Sequence, residues 1–473
     1  MGVVPMERNF LYLKGIDEAD VLFHIKSSKF YRIFDPELMR KFRNHFWDGK
    51  SENEMEEKLK DIDEGNSSCI VDCSECKGSF SRNPKEFVIN KLALVLTSKC
   101  NLRCKYCYAN YGMYDYAEET DISQSTLLDG LRYLQGNYKD IANIQFFGGE
   151  PSLCETQILS TVYFFENLVE TGEKDKMPTF GIVTNGVYMP ESLMELFVKY
   201  NFQITISLDG PESINNTLRC DINGTGKFDV IEHNYNKLLE KGMKHIGIEC
   251  TYTAEHIKNK ISLVDLVKYF YEKFNCSVPH IVPVNIEKEN ELNVLNCMNE
   301  YLIYVKELVD YTFEKMQKEQ IINSTAIITG IIFKVMYRQG QQRICPAGVK
   351  TFSLSHDSRI SPCFMYTSKQ DISYGKVGDD PAEILRKAYE FDDRINNKDM
   401  SKECTECPAR SICSSCLGSF EIENANVHVD NPIFCETIRY VVEYVIQKLS
   451  AMKADEAQWK KLNDFLRNGV NEK

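Results

Sequence analysis

The sequence predicts an α/β protein built on the six strands of a full or partial (β/α)6 barrel. A small α+β module stands ahead of it and a cysteine-rich domain behind it. Three observations lead there. Strand-like runs and helix-period stretches alternate through the middle of the chain, a short strand-then-helix pattern opens it, and cysteines gather at 69–76, 100–107 and 404–416.

In the opening segment, runs at 10–14, 21–25 and 30–34 read as strands, with alternation visible in Phe30-Tyr31-Arg32-Ile33-Phe34. Asp35-Pro36-Glu37 then supplies an N-cap, a proline at the first helical position and an early acid, for a helix ending near Asp48-Gly49. Ser51-Glu52-Asn53-Glu54 is a capping box for a second helix to about residue 60. In the middle, strand-like runs at 92–97, 143–147, 179–184, 203–208, 245–253 and 278–284 are separated by helical periodicity at 123–134, 158–170, 190–199, 231–241 and 263–274. Six strands with intervening helices require parallel pairing and right-handed crossovers, hence a barrel or part of one.

The chain has 473 residues, enough for several domains. Its 56 basic and 69 acidic side chains give a net charge of −13, which does not suggest a nucleic-acid-binding surface. No apolar run approaches a membrane span and residues 1–8 lack the apolar stretch of a signal peptide, so a cytoplasmic protein is expected. Eighteen cysteines in such a protein point to metal ligation rather than disulfides.

Cys100, Cys104 and Cys107 lie within eight residues, directly after the first barrel strand. Thiolates are the soft ligands that iron–sulfur clusters require, and this spacing lets one loop wrap a cluster. A zinc knuckle is the competing reading, but it needs a fourth Cys or His nearby. None follows within the next twenty residues.

With Tyr106, these cysteines form Cys-x3-Cys-x-aromatic-Cys, which resembles the radical S-adenosylmethionine (SAM) enzymes. The resemblance implies a 4Fe-4S cluster whose free iron chelates SAM, and reductive cleavage of SAM to a 5′-deoxyadenosyl radical. It also implies roles for residues at the carboxyl ends of later strands. Gly148-Gly149-Glu150-Pro151 matches the motif contacting the SAM amino group, the Glu being able to accept from an amine. Ser207 and Asp209 correspond to residues near the ribose, and Arg219 to a guanidinium binding the SAM carboxylate. Thr184-Asn185-Gly186 reads simply as a turn.

Cys345, Cys363, Cys404, Cys407, Cys413, Cys416 and Cys435 resemble the SPASM extension of radical SAM maturases. That likeness implies two auxiliary 4Fe-4S clusters, making three in all. Cys404, Cys407, Cys413 and Cys435 would hold an outer cluster, and Cys345, Cys363 and Cys416 an inner one with a spare iron. The sequence departs from the pattern in two places: the Cys413–Cys416 spacing is one residue short, and Ser358 replaces a usual glycine.

The opening segment resembles the PqqD-like recognition element, which implies a small winged-helix-like module that binds leader peptides by strand addition, and the radical SAM resemblance implies that the six strands form a partial (β/α)6 barrel. The expected organisation is therefore a recognition module at 1–65, a cysteine-containing linker at 66–88, the barrel at 89–290, a helical connection at 291–340, a SPASM domain at 341–440 and a C-terminal helix at 441–473. Cys69, Cys73 and Cys76 in the linker receive no role. The resemblance implies a maturase that installs cysteine-derived thioether crosslinks in a ribosomally made precursor peptide, with a flavodoxin- or ferredoxin-type electron donor. An anaerobic sulfatase-maturing, formylglycine-forming enzyme is the alternative, and a non-catalytic iron–sulfur electron carrier is the alternative of another class. No catalytic residue is assigned.

Overall fold

The computed structural model describes residues 9–50, 53–66, 82–423, 426–429 and 432–471. The cysteines at 69, 73 and 76 and the Ser51 capping box lie outside the described residues.

Strands β1 (Phe10–Leu13), β2 (Asp20–His24) and β3 (Lys29–Ile33) form an antiparallel sheet in the order β1-β2-β3. Helix Pro36–Asp48 follows. Asp35 caps it by accepting from the Leu38 amide, and Gly49 ends it at φ +66°, a left-handed turn that glycine adopts without strain. The next helix, Asn53–Asn66, runs past the expected end near residue 60.

The module's sheet has two apolar faces. Phe10, Tyr12, Leu22 and Ile33 pack with Phe42, Phe46 and Leu59 of its own helices. Leu11, Leu13, Val21, Phe23 and Ile25 instead join the main core. Period-2 alternation makes this division inevitable once both faces are covered. The opening segment is thus docked on the rest of the chain. Phe30 meets Trp459 edge-on at 6.3 Å, and Gln447 donates to the Lys14 carbonyl at 2.7 Å.

The central sheet begins after a short parallel pair, β4 (Val88–Ile89) with β6 (Asp140–Ile141). Its six parallel strands are β5 (Lys91–Val95), β7 (Asn143–Phe147), β8 (Thr179–Thr184), β9 (Gln203–Ser207), β10 (Ile246–Tyr252) and β11 (His280–Pro283), neighbours in that order. Consecutive strands pair throughout and helices such as Gln124–Asn137, Glu155–Glu170 and Leu263–Phe274 make the crossovers. Lys91–Val95 is a continuous apolar run after its first residue, whereas Asn143–Phe147, Gln203–Ser207 and Ile246–Tyr252 alternate, burying Ile144, Phe146, Ile204, Ile206, Ile246 and Ile248 and leaving the residues between them less buried.

The C-terminal region extends this sheet, which the sequence reading did not anticipate. β12 (Thr351–Leu354) pairs parallel to β5, and β13 (Arg359–Ser361) and β14 (Gly375–Lys376) follow antiparallel, giving nine strands in one sheet. In the β12–β13 turn Ser358 stands at φ +62°. That backbone state favours glycine, and this is the position where the SPASM pattern usually has one. A hairpin, β15 (Phe420–Glu423) with β16 (Asn426–Val429), precedes the closing helices Pro432–Met452 and Glu456–Asn471. Among the described residues no helix is long and apolar enough to cross a membrane.

Candidate functional site

The loop after β5 is fixed from both sides. The Arg103 amide donates to Cys220 O at 2.6 Å and the Lys105 amide to Leu218 O at 3.0 Å, so Cys100–Cys107 is laced to the segment carrying Arg219. The Leu102 amide points at Cys100 Sγ (3.5 Å) and the Tyr111 amide at Cys107 Sγ (3.2 Å). Burial pushes the Cys100 thiol up to about 12 and that of Cys104 to about 11, with Arg219 opposing it at Cys104. Each of these two thiols also feels the field of Cys107. Left alone, such thiols stay protonated; a bound metal centre reverses that, because it takes the thiolate.

The glycine pair after β7 is needed for close approach. A Cβ on Gly149 would stand 2.3 Å from Lys99 O, and one on Gly148 would stand 2.5 Å from Thr97 O. The Gly149 and Glu150 amides donate to these same carbonyls, both at 2.8 Å. The loop therefore lies directly on the residues leading into Cys100, and side chains are absent where they would part the two segments. Pro151 opens a short 3-10 turn behind them.

The Glu150 carboxylate is buried and accepts from Thr184 Oγ1 (2.7 Å), the Asn185 amide (2.6 Å) and the Ser152 amide (3.0 Å). The turn at 184–186 thereby becomes part of the site. Asn185 Nδ2 reaches Asn101 Oδ1 at 2.7 Å, beside Cys100. Nothing in the spacing marked Asn185; a polar residue at the carboxyl end of a barrel strand was the available signal.

Tyr106, Asp209 and Arg219 converge in a buried triad. Tyr106 donates to Asp209 Oδ2 at 2.5 Å, and Arg219 Nη1 donates to the same tyrosine hydroxyl at 2.6 Å. Asp209 Oδ1 accepts from the Thr251 amide at 3.1 Å. Asp209 is thus occupied by protein donors, while Ser207 ends β9 half-buried, in register with Glu249 of β10. Arg219 Nε is buried and has no hydrogen-bond partner among the described residues. A carboxylate fits that unfilled donor, and three adjacent soft donors fit a cluster.

Residues 94–256 match the model described as the Radical SAM superfamily. The chain carries a radical SAM domain.

Its radical SAM domain therefore binds SAM at an iron–sulfur cluster. A cysteine-type anaerobic sulfatase-maturating enzyme of Clostridium novyi is 25% identical over 375 residues, spanning 75% of this chain and 94% of that enzyme. An uncharacterized protein of Methanocaldococcus jannaschii is 31% identical over 230 residues, 46% of this chain and 74% of its own length. Among solved structures, native anSMEcpe with bound AdoMet and Kp18Cys peptide superposes with a TM-score of 0.60 at 20% identity. That match covers 76% of this chain and 98% of the other.

The seven C-terminal cysteines fall into two groups. Cys404, Cys407, Cys413 and Cys435 line one cavity of about 230 Å³. Cys345, Cys363 and Cys416 form the other, in which the fields of Cys345 and Cys416 add to burial in raising the Cys363 thiol. Cys416 is the exposed member. Cys276 lies against Tyr235 and Cys297 beside Glu300, so these two thiols belong to other surroundings. Two groupings of aromatic residues connect the second cysteine group to the radical SAM site. Phe147 stacks on Phe364, and the Tyr114 hydroxyl feels both Cys107 and Cys363. Tyr114, at φ +49°, sits in a loop where Asn110 and Tyr111 are also left-handed. Strain of this kind concentrates at functional sites.

Proposed function

We propose that this radical SAM enzyme is a peptide maturase that joins a cysteine sulfur to a carbon of a ribosomally made precursor. Cys100, Cys104 and Cys107 would hold the SAM cluster, Arg219 Nε would take the SAM carboxylate, and the Gly148–Gly149 backbone would face its amino group. Bound together, cluster and SAM supply a 5′-deoxyadenosyl radical that removes hydrogen from carbon. Tyr106 and Asp209 hold Arg219 in place, and Glu150 ties the glycine loop to the turn at 184–186.

The observation that carries this reading is the four-plus-three division of the C-terminal cysteines. Four thiolates complete an outer four-iron cluster. Three leave a position at the inner one, on the side of exposed Cys416, where a substrate thiolate would be held and deprotonated beside the radical. Each crosslink would remove two hydrogens: the 5′-deoxyadenosyl radical takes one from carbon, the thiol gives up its proton, and the electron released as the carbon–sulfur bond forms would pass to the inner cluster held by Cys345, Cys363 and Cys416. The leader peptide would add to β3, which among the described residues has a sheet neighbour on one side only. Beside it runs a groove lined by Phe30, Arg32, Phe34 and Lys453. A low-potential flavodoxin or ferredoxin would supply the electrons.

Formylglycine formation is the second reading, favoured by the match to sulfatase-maturating enzymes over 94% of their length. One experiment separates the two. The enzyme is co-expressed with any short cysteine-containing peptide found encoded near its gene, or incubated with a cysteine peptide from a sulfatase, and the peptides are analysed by mass spectrometry. Loss of two hydrogens per crosslink with loss of free thiol supports the first reading; conversion of the sulfatase cysteine to an aldehyde overturns it in favour of the second.

A further inference from the structure

The outer cysteine cavity contains a charge that the function above does not use. Lys398 is 1% exposed and lines the cavity together with Cys404, Cys407, Cys413 and Cys435. Its Nζ donates to Arg410 O and Cys413 O, both at 2.7 Å, and to Gln341 O at 2.8 Å. An ammonium group has three protons, so its donors are filled and its position is fixed. Among the described residues no carboxylate forms an ion pair with it.

A buried ammonium without a counter-ion is costly, and natural interiors pair or neutralise such groups. Among the described residues that line the cavity, the anions on offer are the Glu403 carboxylate, which makes no ion pair with Lys398, and the four cysteine sulfurs once they are thiolates. The neighbourhood repeats the pattern. Lys334 donates to Ile412 O at 3.1 Å, in the same loop. Arg410 and Arg439 also line the cavity, against one carboxylate, Glu403, so the lining carries more positive than negative charge.

We propose that Lys398 is a positioning residue of the outer cavity, closing the 410–413 loop around it and raising the reduction potential of the four-iron cluster held there. The inference rests on the reading that these four cysteines carry such a cluster. A four-cysteine cluster is anionic and gains one more negative charge on reduction, so a fixed buried cation stabilises the reduced form preferentially. The outer cluster is then set as an electron acceptor rather than as the low-potential donor that SAM cleavage demands.

The test uses the full-length protein, purified without oxygen, as wild type, Lys398→Met and Lys334→Met. Iron and sulfide are quantified, unfolding is followed thermally, and cluster potentials are read by EPR-monitored redox titration, the outer signal being the one lost in Cys435→Ala. Lys398→Met is expected to lower the outer midpoint and leave the others unchanged; Lys334→Met lowers it less. An unchanged outer midpoint at full iron content overturns the proposal. If Lys398→Met fails to retain iron, Lys334→Met and Arg439→Met decide, and unchanged midpoints in both overturn it. If Cys435→Ala removes no iron and no signal, the cavity holds no cluster and the underlying reading falls with the inference.

Discussion

Phe147 and Phe364 stack with ring centroids 3.7 Å apart and planes 24° from parallel. Phe147 precedes Gly148 and Phe364 follows Cys363, so one ring pair joins the glycine motif to the second cysteine group. Such a pair is worth about 0.5–1.5 kcal/mol beyond its buried area. Phe364→Ala is expected to leave formation of 5′-deoxyadenosine within a few-fold of wild type while lowering crosslinked product per SAM consumed. Parallel quantification of the two products checks this; proportional loss of both would remove the coupling role.

Replacing Cys100, Cys104 and Cys107 together by Ala should abolish 5′-deoxyadenosine formation while iron remains in the C-terminal region. Anaerobic assay with dithionite and iron analysis measure both. SAM cleavage surviving in the triple variant would refute the assignment of the cluster loop.

Gly149→Ala is expected to inactivate, although glycine-to-alanine changes are often stabilising where the space is open. The new Cβ would meet Lys99 O at 2.3 Å, and that contact is backbone, which cannot swing aside. Cluster content and SAM affinity should fall together, as seen by absorbance and by equilibrium binding. A variant with both intact would show that the two loops can separate without consequence.

Tyr106→Phe keeps the ring and removes the hydroxyl between Asp209 and Arg219. Leaving buried polar groups unsatisfied costs about 1–3 kcal/mol. We expect lower thermal stability and weaker SAM binding, the latter because Arg219 is released toward Asp209, which already stands 3.8 Å away. Differential scanning calorimetry and SAM titration test the two effects separately.

The N-terminal module should carry its own pH dependence. Burial holds the His24 imidazole below its ordinary value of 6.5, against the pull of Asp63, which accepts from or pairs with Nε2 at 2.9 Å. The unfolded chain therefore takes up the proton first as pH falls. Stability is full above about 6.5 and declines below it until the folded imidazole also protonates. His24→Gln should flatten this slope, measured by the fluorescence of Trp47 in thermal melts at several pH values. An equally steep decline in the variant would place the titration elsewhere.

Leader binding offers a last test. Arg32→Glu in the groove beside β3 should weaken an acidic or apolar leader about tenfold, about 1.4 kcal/mol, without altering SAM cleavage. Fluorescence anisotropy with a labelled leader reads the first and a dithionite assay the second. Removing residues 1–65 altogether is a poorer experiment, because Leu11, Val21 and Phe23 are part of the main core and their loss would expose it.

The sequence by itself determined the six parallel strands, because each is a short apolar run between amphipathic helices, and the observed bounds of Asn143–Phe147 and Thr179–Thr184 follow that pattern residue for residue. It also determined where cysteines and the glycine pair would stand, since both are local in the chain. Tertiary structure decided what lies far apart in sequence. That Glu150 is spent on Thr184 and Asn185, that β12 extends the barrel sheet beside β5, that the opening sheet is docked through its second face, and that Lys398 sits buried among four cysteines all depend on contacts between distant segments. Periodicity reports which face of an element is apolar; it carries no information on which distant element covers that face, and a buried polar group finds its partners only once the packing is made.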